Sequence, residues 1–61
     1  MYIILIYVEH TGRFEPARDT NNRVYQSESY AGMVELRETV TANGYVTDYM
    51  YVTPRRKRGR R

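Results

Sequence analysis

The side chains with a capacity for chemistry are few and scattered along these 61 residues. There is no cysteine, and His10 is the single histidine. A Cys/His nucleophilic pair and a thiolate zinc site are therefore excluded. The carboxylates, Glu9, Glu15, Asp19, Glu28, Glu35, Glu38 and Asp48, are not clustered as a metal site or an acid/base pair would require. No glycine-rich phosphate loop and no Ser/His/Asp set in a supporting motif is present. The expectation is a non-enzymatic protein that uses no metal and no cofactor. Its chemistry is then the chemistry of contact.

Four features can make contacts. The first is the carboxyl-terminal run PRRKRGRR, in which Arg55, Arg56, Lys57, Arg58, Arg60 and Arg61 carry six positive charges and no negative one. Arginine makes bidentate phosphate contacts and stacks on bases. If all six met phosphates, the salt slope of duplex binding would reach roughly −5. A solvated run, or one that meets an acidic protein surface, has the same composition. Residues 1–53 have the opposite sign: four arginines (Arg13, Arg18, Arg23, Arg37) against seven carboxylates leave a net of −3.

The second feature is tyrosine, seven in all, with Tyr45, Tyr49 and Tyr51 on one parity of a strand-like segment. On an uncovered sheet face they can anchor a protein interface or stack on bases. They can equally form core by pairing across strands with Ile3, Leu5 and Tyr7, since tyrosine favours strands in any case. Partner contact or self-association is the favoured reading, because an acidic body repels a phosphate backbone. Third, Glu28, Glu35 and Glu38 fall on the outer side of a helical pattern. Such a row is either a solvated face or a surface that fits a positive groove. Fourth, the polar stretch 9–21 places Phe14 among Arg13, Arg18 and Arg23, either as a contact anchor or folded back on the core edge.

The elements that must position these residues follow from patterning. YIILIYV, residues 2–8, is apolar at both parities, as a central strand is. It is far shorter than the roughly 20 residues of a membrane span. No basic leader or cleavage site accompanies it, so a cytoplasmic protein (in the host cytoplasm if viral) is expected. Residues 9–21 contain Gly12, Pro16 and the turn formers Asp19-Thr20-Asn21-Asn22. Arg23–Gln26 reads as the second strand, and Pro16 confines any extra strand near Arg13–Glu15 to an edge. Ser27 is the expected N-cap, with Glu28 in the first helical turn. Met33, Leu36 and Val40 form the buried stripe with Tyr30 beside it, and Asn43-Gly44 is the stop. Residues 45–53 are the last strand, with Tyr45, Thr47, Tyr49 and Tyr51 on one side and Val46, Asp48, Met50 and Val52 on the other. Either side can be the core side, although burying an unpaired carboxylate is costly.

The length allows one domain, residues 1–53, followed by a basic tail, 54–61, with nothing apolar to bury and therefore expected to be disordered. A chain this short buries only about 60% of its unfolded surface, so a second copy or larger partner would add stability. The fold class expected is α+β, ββαβ. A right-handed crossover gives a three-stranded antiparallel sheet of order 2-1-3 with the helix on one face. The other face stays open.

The segment RVYQSESYAGMVELRETVTANGYVTDYMYVTP, preceded by an apolar strand, resembles in size and architecture the small ββαβ proteins with which bacteriophages disable host machinery. These include T7-type inhibitors of bacterial RNA polymerase and small anti-CRISPR proteins. The resemblance implies a stoichiometric binder of a larger protein or nucleoprotein complex that acts through charge and a sheet or helix face. The arginine tail departs from that pattern. A DNA- or RNA-binding accessory protein and a homodimer joined through the open sheet face are the alternatives.

Overall fold

The computed structural model describes residues 1–53. The expectations for the tail, including nucleic-acid contacts by Arg55, Arg56, Lys57, Arg58, Arg60 and Arg61, lie outside the described residues. The elements run β1 (Tyr2–Val8), β2 (Arg13–Pro16), β3 (Gln26–Ser27), α1 (Tyr30–Ala42) and β4 (Thr47–Tyr51). The fold is α+β, with every pairing antiparallel and made to β1. The apolar strand is central, as its composition predicts. On one side β4 runs along Tyr2–Ile6. On the other side β2 faces Leu5–Val8 and β3 faces Tyr2 and Ile3.

This second edge differs from the sequence expectation. It is a single line of strand broken by an excursion. Ile4 O accepts the Ala17 N–H (2.9 Å), while the Ile4 N–H donates to Tyr25 O (3.1 Å). Between these points Arg18–Val24 leaves the sheet, closed by an Arg18–Val24 bridge. Asp19 holds the turn, its Oδ1 accepting the N–H groups of Asn21 (2.8 Å) and Arg23 (3.0 Å). Asn22 takes the left-handed conformation that asparagine tolerates (φ 64°). The turn formers at 19–22 therefore do what their types predict. They draw Arg23 and Val24 out of the edge, which leaves the second strand as Gln26–Ser27 and gives most of the pairing to Arg13–Pro16.

The N-cap is Ser29, not Ser27. Ser27 remains in the ladder opposite Tyr2, so its backbone cannot begin a helix. Ser29 is extended (φ −110°, ψ 152°), and its Oγ accepts the Gly32 N–H at 3.0 Å. Ser27 instead accepts the Ser29 N–H through its Oγ at 3.2 Å. Glu28 consequently precedes the cap, and the first turn carries no acid. At the other end Asn43 and Gly44 stop the helix as expected, with Gly44 at φ 97°.

The core is small. Ile4, Ala17, Met33 and Val40 are buried, and Tyr2, Ile6, Tyr25, Val34, Leu36 and Tyr49 pack around them. Directly paired residues share a face, so Tyr2, Ile4 and Ile6 of β1 lie on the helix side with Tyr51, Tyr49 and Thr47 of β4. The opposite parity, which contains Asp48, faces away. The cost of burying a lone carboxylate explains that choice. Among the described residues no helix is long and apolar enough to cross a membrane.

Candidate interaction surface

The tyrosine strand is on the covered side. Tyr49 pairs with Ile4 and Tyr51 with Tyr2, and neither faces the open side of the sheet. Their partners are also other than Ile3, Leu5 and Tyr7. Tyr2 is the hub, with ring centroids 5.7 Å from Tyr30, 6.0 Å from Tyr49 and 4.9 Å from Tyr51. Tyr30 meets Tyr49 edge-on at 6.2 Å. The Arg37 guanidinium lies 5.8 Å from the Tyr49 centroid. Tilted and edge-to-face aromatic contacts of this kind contribute about 0.5–1.5 kcal/mol beyond area burial. Tyr2 and Tyr49 thereby add to the small aliphatic core, while Tyr30 and Tyr51 stay 56% exposed. Tyr45, in the turn before β4, is half exposed.

The acidic row is also divided. Glu35 and Glu38 are exposed on α1, whereas Glu28 sits before the cap. Arg13, Arg18 and Arg23 are exposed along the β2–β3 edge, and Arg18 Nη1 donates to Asn22 O at 3.1 Å. His10 is exposed in the turn after β1. Among the described residues no three His, Cys, Asp or Glu side chains form a group able to hold a metal.

Two clefts flank the helix. One is lined by Ile6, Ala17, Arg18, Asp19, Tyr25 and Tyr45 among others, and one by Tyr30, Val34, Arg37, Glu38, Thr41 and Thr47 among others. Several of their polar groups have structural partners. Asp19 holds its turn. Arg37 donates to Thr47 Oγ1 (3.1 Å) and Thr47 O (3.0 Å), and the Thr41 and Thr47 hydroxyls are 2.7 Å apart.

The surface that the fold does build is the open face. Register places Ile3, Leu5 and Tyr7 of β1 beside Phe14 and Pro16 of β2 and Met50 and Asp48 of β4. Val46 and Val52 extend it, through Tyr7 N–H to Val46 O (2.9 Å) and Val52 N–H to Met1 O (2.8 Å). Tyr7 and Phe14 pair edge-to-face at 5.4 Å. Phe14 is thus a strand residue on the open face, pointing away from the core. Tyr7 is 40% exposed, Phe14 42%, Met50 45% and Val46 65%. More large apolar side chains stand exposed on this face than are fully buried in the core. Exposed apolar area concentrated in this way marks an interaction site.

The sheet edge beside this face is partly occupied. The ladder bonds at Val46 and Val52 turn the backbone groups of Thr47, Tyr49 and Tyr51 outward. Two of those groups are occupied, Thr47 O by Arg37 Nη2 and the Tyr49 N–H by Asp48 Oδ1 at 2.8 Å. A strand added at this edge would have to displace both.

No family model, curated protein or solved structure matches this chain. The functional reading therefore rests on the surface itself. Sequence reasoning missed Ile3, Leu5, Tyr7 and Met50 as surface residues because they look like core. The signal that could have found them is Asp48, which marks its whole parity as the side that stays out of the core.

Proposed function

We propose that this chain is a small non-enzymatic interaction protein, of the kind bacteriophages encode, that binds and inhibits or redirects a nucleic-acid-handling complex such as RNA polymerase or a CRISPR effector in the host cytoplasm. The observation that carries the reading is the open apolar face centred on Leu5. A domain that leaves Tyr7, Phe14 and Met50 exposed beside so small a core gains most by covering them with another protein. The charge of the body supports the choice of target. Residues 1–53 have a net charge of −3, and proteins that hold nucleic acid present lysine and arginine to phosphates. Opposite potentials steer such partners together and suppress wrong ones. Glu35 and Glu38 on the helix add to this field without forming the contact itself.

The test compares three immobilised forms in nuclease-treated host extract: the full chain, Met50→Glu, and a chain ending at Thr53. The expected result is retention of a polymerase or effector complex by the full chain and by the truncated one, and its loss with Met50→Glu. Retention that needs intact nucleic acid and vanishes with residues 54–61 would contradict the proposal. That outcome would make the chain a direct nucleic-acid binder acting through its tail.

A further inference from the structure

The open face is mostly apolar; its polar strand residues are Gln26, opposite Ile3, and Asp48, whose charge a docked surface must deal with. Among the strand side chains on this face Asp48 alone is a carboxylate, and it sits level with Leu5, the midpoint of β1. It is exposed, and its Oδ1 accepts the Tyr49 N–H. Among the described residues Oδ2 has no hydrogen-bond partner. Covering the face with an apolar surface alone would strip water from a half-satisfied carboxylate, a cost of several kcal/mol. A cation from the partner removes that cost and adds a charge-assisted hydrogen bond.

A second copy cannot supply the cation from its own open face. For two sheets packed face to face about a two-fold axis, the limiting cases are an axis across the strands and an axis along them. An axis across the strands stacks β4 on β4 and sets Asp48 against its own copy. An axis along the strands sets Asp48 over the other copy's Pro16, which has no N–H to give. None of the body's arginines lies on this face. Arg37 is held by Thr47, Arg13 has the opposite parity, and Arg18 and Arg23 belong to the excursion.

From these observations, and resting on the reading of the open face as the docking surface, we infer that Asp48 selects the occupant: a protein surface presenting an apolar patch around one lysine or arginine, and not a second copy of this chain. The carboxylate has two roles in one position. It bars symmetric pairing of the exposed faces, and it fixes the register of a cationic partner.

Two measurements on the full chain test this. Sedimentation equilibrium is expected to give a monomer for the wild type and a dimer for Asp48→Leu, with Asp48→Leu/Met50→Glu monomeric again. A wild-type dimer, or a monomeric Asp48→Leu, would overturn the inference. The second uses benzamidine and benzamide, which share shape and differ in charge, as probes in an amide and methyl NMR titration. Benzamidine is expected to shift Leu5, Met50 and Asp48 with an affinity about tenfold above benzamide, and Asp48→Asn to erase the difference. Equal affinities at the open face would overturn the role of Asp48 and leave the docking reading standing. Shifts confined to the Tyr45 clefts would overturn both.

Discussion

The two faces of one sheet make the instructive contrast. Both are apolar, and both draw on β1, whose alternate residues supply Ile4 to one side and Leu5 to the other. On the helix side, Met33 and Val40 close over Ile4, and four tyrosines wall the end. On the open side no element packs over Leu5, which its strand neighbours leave partly buried. Apolar composition alone therefore does not decide what is core. A single carboxylate on β4 decides it, because its parity cannot go under the helix.

Substitutions can break or sharpen this contrast. The largest effect is expected from Ile4→Ala, which empties a fully buried site and costs about 3 kcal/mol. A domain of this size has only about 3–9 kcal/mol of stability, so at the lower end of that range about half of the population unfolds. Leu5→Ala, one residue away and facing outward, is expected to cost under about half as much. Urea denaturation of the pair measures the difference directly, and equal losses would mean that both faces are structural. Next is Arg37→Ala, expected to cost about 1–2 kcal/mol, since it frees Thr47 O and removes the guanidinium from Tyr49. It also uncaps the β4 edge, so light scattering should report more self-association. Ser29→Ala is expected to cost about 1 kcal/mol, and Ser27→Ala less, because the cap bond to Gly32 comes from Ser29. The smallest effect is the coupling between Tyr7 and Phe14, about 0.5–1 kcal/mol in a double-mutant cycle on stability. The same cycle on partner binding should give a larger value than the one on folding.

Much of the fold was legible in the sequence because local rules act strongly there. The central strand, the Met33/Leu36/Val40 stripe and the Asn43-Gly44 stop are each specified within one element. What was not legible depends on pairing across elements. Ser27 looks like a cap until its ladder bond with Tyr2 is known. Arg23–Gln26 looks like a full strand until the Asp19 turn pulls half of it out of the edge. The candidate surface was the least legible part. Tyrosine is equally at home in a core and at an interface, so Tyr49 and Tyr51, expected on the open face, lie instead on the helix side, Tyr51 still exposed, while Met50 and Leu5 looked buried. One consequence is practical. Tyr49→Ala is a stability variant, and Met50→Glu is the variant that interrogates contact.

That substitution provides the most direct measurement of the account. Met50→Glu and Met33→Ala are compared for unfolding midpoint and for retention of the nucleic-acid-handling complex at matched folded concentration. The account predicts that Met50→Glu keeps the wild-type midpoint and loses retention, and that Met33→Ala loses the midpoint and retains the complex in its folded fraction. Full retention by folded Met50→Glu would contradict it.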